Sequence, residues 1–213
     1  MSAQLSRVAD PILELGVSLL ERIEGNLPVD YEREYANLLE LFARADALRG
    51  EDQSWQLARY ALAVWIDEIC LSLPWDGAAW WQNNILEMKF FQSRICNVRF
   101  FELAKQAAAF RDREALDVFY CCVVLGFRGM YANPDEPSSS TSERDFPATL
   151  QKWLEWASQL LNATASPRYQ AAPNRIISGA PPLPGRKQQV VWTAAAAMLL
   201  ALNVALAFLV WSR

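Results

Sequence analysis

Apolar residues recur along this chain at helical spacing, and strand-like alternation is missing. Ile12, Leu15, Leu19 and Ile23 fall on one stripe, and Asp10-Pro11 just before them reads as N-cap and first helical residue. That helix is predicted to run to about Glu24, where Gly25, Asn26 and Pro28 break the pattern. A second helix starts near Asp30, with Tyr31, Tyr35, Leu38, Leu39 and Phe42 on one side and Gly50 at its end. The third, Asp52 to Leu73, is apolar almost all round after Leu57, the mark of a central buried helix. Pro74 stops it, and Trp75-Asp76-Gly77 turns the chain into a fourth helix reaching about Phe91. Further helices are expected over roughly 100–110, 113–127 and 147–161. Gly126 and Gly129 suit a helix C-cap, and the Pro- and Ser-rich stretch 133–142 suits an exposed loop. The expected fold is all-α: about seven helices in residues 1–164, arranged as two small bundles that share the third helix.

The pattern changes twice near the C-terminus. Residues 165–189 carry Pro167, Pro173, Pro181, Pro182 and Pro184 and read as a poorly helical linker. From Val190 to Trp211 there is no charge. Those 22 residues would rise about 33 Å as an α-helix, enough for a hydrocarbon core of about 30 Å. Trp192 and Trp211 sit at the ends, where amphipathic rings favour the headgroup level. The segment is therefore expected to be a C-terminal transmembrane helix. Residues Met1 to Leu20 hold Arg7, Asp10, Pro11 and Glu14 and lack the apolar core of a secretory signal, so the helical domain is expected in the cytoplasm. Arg186 and Lys187 favour the same orientation. Only Ser212 and Arg213 follow the anchor, so no module is expected beyond it. Ala197, Ala201 and Ala205 recur every fourth residue, a spacing that lets two membrane helices approach closely. Asn203 could hydrogen-bond across such a contact, either in a homodimer or with a partner helix.

Composition narrows the chemistry. All 24 acidic residues and 19 of the 20 basic ones precede Gln189, so that part carries 19 − 24 = −5. A nucleic-acid binder usually shows a basic face, so none is expected here. Histidine is absent, which removes the commonest general base and metal ligand. Cys70, Cys96, Cys121 and Cys122 form no C-x-x-C pair and read as small apolar residues in a reducing compartment. No catalytic group, cofactor or metal site is expected.

Two adjacent acids interrupt the apolar third helix, Asp67 and Glu68. Neighbouring helical positions point about 100° apart, so the two cannot act on one substrate from facing sides. They divide between an acceptor for a nearby loop or helix N-terminus and an acidic contact for a basic partner. Trp80 and Trp81 are also adjacent, so at least one should approach the surface as a binding anchor.

Three segments carry a family resemblance. Tyr60 to Trp75, with its I-D-E-x-x-L-x-x-P-W-like run, resembles the DotU/IcmH family, which includes the TssL subunits of type VI secretion systems. Arg99-Phe100-Phe101-Glu102-Leu103 is similar to that family's F-F-x-L segment, and Phe119 to Tyr131 to its L-G-F-x-G-x-Y block. The chain departs from the family at Phe91 to Asn97, where a polar stretch and a Gly pair are common, and at Met130, where Arg is common. The resemblance implies a non-enzymatic inner-membrane subunit that pairs with an IcmF/TssM-like protein and contacts TssK-like baseplate proteins, with Asp67 and Glu68 in the contact. A DotU-like role beside an IcmF partner in a type IVB system is the alternative; a tail-anchored enzyme of lipid or peptide chemistry is a more distant one.

Overall fold

The computed structural model describes residues 3–132 and 146–164. Among them are eight α-helices and one 3-10 turn, with no strand. The helices are α1 (Ala3–Glu24), α2 (Tyr31–Arg49), α3 (Gln53–Ser72), α4 (Ala78–Gln82), α5 (Leu86–Phe91), α6 (Cys96–Ala109), α7 (Glu114–Val124) and α8 (Leu150–Thr164). The 3-10 turn is Gly129–Tyr131. They belong to a compact unit covering Met1–Ala165. No described helix is long and apolar enough to cross a membrane. The expected loop 133–142, the linker 165–189 and the anchor 190–211, with Ala197, Ala201, Asn203 and Ala205, lie outside the described residues.

α3 is the central element, as its all-round apolarity predicts. Every residue from Tyr60 to Asp67 is buried, and α1, α4, α5, α6 and α7 all pack against it. Its start is set by Asp52, which accepts from the Ser54 and Trp55 N–H groups. Asp30 caps α2 in the same way, through the Arg33 N–H. α2 lies on α1, and α8 on α7. The buried side chains form one continuous cluster that runs through α3 to both sides, rather than two separate bundle cores.

α1 begins earlier than the Asp10-Pro11 signal suggests. Pro11 lies inside the helix, and Asp10 is not its N-cap. A proline costs a helix interior about 3 kcal/mol, but Leu5, Val8 and Ala9 extend the Ile12, Leu19, Ile23 stripe backward and are all buried. Burying a large aliphatic side chain contributes roughly 1.5–3 kcal/mol, so the added turns outweigh the missing N–H. The stripe also brings α1 close to α3: a Cβ on Gly16 would stand 2.5 Å from the Trp65 ring.

The segment expected as one fourth helix is two. The Asn83 and Asn84 side-chain amides donate to the Ala79 and Trp80 carbonyls and close α4. α5 then starts afresh at Leu86. Its end is a left-handed Gln92 (φ 51°), a place where glycine is more usual. α7 ends as its glycines foretell. Gly126 takes φ 115°, the Gly126 N–H returns to the Val123 carbonyl and the Phe127 N–H to that of Cys122, a Schellman cap.

Candidate functional site

The two adjacent acids of α3 diverge into different surroundings. Asp67 is 4 % exposed. Its Oδ1 accepts from the Trp81 indole N–H and the Leu86 N–H, both at 2.9 Å, and its Oδ2 accepts from the Glu87 N–H at 2.8 Å. Asp67 is thus the N-terminal cap of α5, supplied from another helix, and this is why the chain can break and restart there. Burial pushes its carboxyl up to about 6; the three hydrogen bonds pull the other way, and the charge of Glu87 adds to the rise. Turned inward and fully engaged, Asp67 cannot form the partner contact expected of it, because its oxygens already have donors and no route to the surface.

Glu68 is half-buried on the next flank of the helix. Its Oε1 accepts from the Arg128 N–H at 2.6 Å and its Oε2 from the Gly129 N–H at 3.1 Å. Burial raises this carboxyl too, against the pull of those two N–H groups and the Arg128 charge. Gly129 is required at its position twice over. Its φ is 50°, and a Cβ would stand 2.8 Å from the Phe127 ring and 3.0 Å from the Asn97 carbonyl oxygen. Glu68 also borders a hollow of about 210 Å³ whose wall includes Leu20, Glu24, Trp65, Ile69 and Leu125. Of the two acids, this is the one that borders an accessible surface.

The tryptophan pair divides the same way. Trp81 is wholly buried under Asp67, and Trp80 is half-exposed. Trp80 joins an aromatic cluster in which Tyr31 lies 5.2 Å and Tyr35 5.3 Å from its ring centroid, with Trp75 6.2 Å from Tyr31. The cluster ties the start of α2 to α4. Of the thiols, Cys70 and Cys122 are buried, and Cys96 and Cys121 are partly exposed. Burial raises all four, Cys96 to about 12, so none is poised as a thiolate nucleophile.

Sequence reasoning missed a third acid. Glu87 is 2 % exposed; its Oε1 accepts from the Tyr60 hydroxyl at 2.9 Å and the Ile95 N–H at 3.3 Å. Burial and that neighbour push the Tyr60 hydroxyl well up. The available signal was an acid among Leu86, Met88, Phe90 and Phe91, the same pattern that singled out Asp67.

The fold and these contacts define a class of protein: an all-α domain whose interior acids hold its own backbone in place. The match to known proteins is more specific. The family model described as type VI secretion system protein DotU matches residues 4–212, so the chain belongs to the DotU family and is a type VI secretion system protein. The match extends through the expected linker and anchor. Among solved structures, the chain is similar to the cytoplasmic domain of TssL from Acinetobacter baumannii, with 23 % identity and a TM-score of 0.55 over 72 % of this chain and 96 % of that one. At that identity the likeness shows the shared helical fold. No curated protein matches the chain.

Proposed function

We propose that this protein is a structural inner-membrane subunit of a type VI secretion membrane complex, joining an IcmF/TssM-like membrane protein to the cytoplasmic baseplate, including a TssK-like component. The observation that carries this reading is the family match across nearly the whole chain. In it, the helical domain stands in the cytoplasm, residues 165–189 are the tether and Val190 to Trp211 the single transmembrane helix, with the C-terminus in the periplasm. Anchoring raises the effective concentration of partners on one membrane, so modest individual contacts suffice for assembly.

The contact surface in this reading combines the half-exposed Trp80 and the flank of Glu68 beside its hollow. Ala197, Ala201, Asn203 and Ala205 form the face of the membrane helix that packs on a second copy or on the partner. The protein acts by binding, without catalysis. The family description favours a type VI system over a type IVB one.

The test is affinity purification of the membrane-inserted protein with identification of what comes with it. An IcmF-like protein and baseplate components are expected, and recovery of neither overturns the reading. Trp80→Ala should reduce baseplate recovery while membrane insertion persists. In a transmembrane-association reporter, Ala201→Ile with Asn203→Leu should lower the signal; an unchanged signal removes the packing face.

A further inference from the structure

The stretch from Trp81 to Ile95 contains the end of α4, all of α5 and the turn into α6. A helix of six residues has little stability of its own. This one is fastened to α3 by side chains. Asp67 holds the Trp81 indole N–H and the Leu86 and Glu87 N–H groups, while Glu87 takes the Tyr60 hydroxyl and the Ile95 N–H. Both fasteners are carboxylates in the interior, and they repel each other. The ion pairs Arg22–Glu34, Arg49–Asp52 and Arg59–Asp46 involve neither fastener.

We propose that Trp81–Ile95 is a pH-sensitive strap, latched to α3 by two buried carboxylates that repel each other, and that it detaches locally more readily as pH rises from mildly acidic to neutral.

Burial is the main influence on Asp67, and the Arg59 guanidinium of α3 lies over the Phe90 and Phe91 rings of the strap. α2 brings Tyr35 toward Asp67, and α3 itself brings Tyr60 and Cys70. α4 contributes the Trp81 N–H, and α6 contributes Cys96 and Arg99. The Arg99 guanidinium lies over the Tyr60 ring, 5.4 Å from its centroid. α1 and the end of α7 cover the other flank of α3, where Glu24, Glu68 and Arg128 stand. Burial first, and the Glu87 charge last, favour a proton on Asp67 in the latched strap. A detached strap returns Asp67 to water and to the ordinary carboxylate value of about 3.9. The latched state binds more protons between that value and about 6, so latching is strongest below the window and weakens as pH rises through it. From pH 5.0 to 7.5 the opening equilibrium should increase about tenfold. The strap carries Met88 and Ile95 exposed on its outside, so its detachment alters an apolar surface as well as uncovering Tyr60.

The test is hydrogen–deuterium exchange of the full chain in detergent micelles at pH 5.0 and 7.5, with labelling times scaled to the intrinsic chemical rate. Peptides covering 81–95 should lose about tenfold of their protection at the higher pH, while α7 peptides keep theirs. Asp67→Asn removes the titrating group and should flatten the pH dependence, while Glu87→Gln removes only the repulsive part, keeps an acceptor for Tyr60 and should lessen it. Equal protection of 81–95 at both pH values overturns the proposal, as does an Asp67→Asn protein that retains the full pH dependence. The wild-type comparison decides by itself if a variant fails to fold.

Discussion

Asp67 reaches Trp81, Leu86 and Glu87, which lie 14 to 20 residues ahead of it, and is sealed from water while doing so. Glu68 reaches Arg128 and Gly129, 60 and 61 residues ahead, from a half-buried position beside an open hollow. Both accept from backbone N–H groups, and both carboxyls are raised by burial. The difference lies in what replaces the bond when it is lost. Donors around Asp67 have no access to water, so an absent acceptor leaves them stranded. Donors around Glu68 lie close enough to the surface for water to take over part of the bonding. Two identical chemistries on one helix thus serve as a core fastener and as a surface clasp, and only the second leaves room for a partner.

The sharpest way to break the comparison is Asp67→Ala. It strands three buried donors at about 1–3 kcal/mol each, not fully additive, for an expected loss of about 3–5 kcal/mol in denaturant unfolding. A loss under about 1 kcal/mol would show that α5 is not capped from α3. Gly129→Ala comes next. A left-handed backbone costs a side chain about 1–2 kcal/mol, and the clash with Phe127 adds to it, so about 2–3 kcal/mol is expected. A neutral result there would mean that the Glu68 clasp tolerates a different turn.

Glu68→Gln keeps one acceptor and turns the other into a donor, yet water can reach the site, so about 1 kcal/mol is expected. Comparable thermal shifts for Glu68→Gln and Asp67→Asn would erase the distinction between clasp and fastener. A separate readout is the pH dependence. The folded pKa of Asp67 is raised above its unfolded value, so its contribution is present below about pH 4 and declines as pH rises through about 6. Between those values the stability of the Asp67→Asn variant should follow a flatter course than wild type, measured by thermal melts at stepped pH. Parallel curves would mean that Asp67 titrates alike in both states.

Much of the helical framework was legible in the residues. Asp30 and Asp52 cap the helices they precede, α3 is buried without a break from Tyr60 to Asp67, and Gly126 closes α7. The failures have one cause. Asp10-Pro11 carries a local start signal, and packing of Leu5, Val8 and Ala9 overrode it. The run from Ala78 to Phe91 looks like one helix because its break is imposed from outside, by an acceptor on α3. At the candidate site, the type of residue was readable and its direction was not. Two acids and two tryptophans were evident, but which of each pair turns inward depends on helix phase relative to neighbours 14 to 60 residues away.

By itself the sequence determined the helical class, the central helix, the family, and the long uncharged segment from Val190 to Trp211. These rest on period, composition and local capping, which act over a few residues. The tertiary structure alone decided that Asp67 caps a helix it does not belong to, that Glu87 joins it in the interior, and that Glu68 and Trp80 border the surface. The physical reason is that burial and hydrogen-bond partners are set where helices meet, and distance along the chain carries no information about which faces those will be.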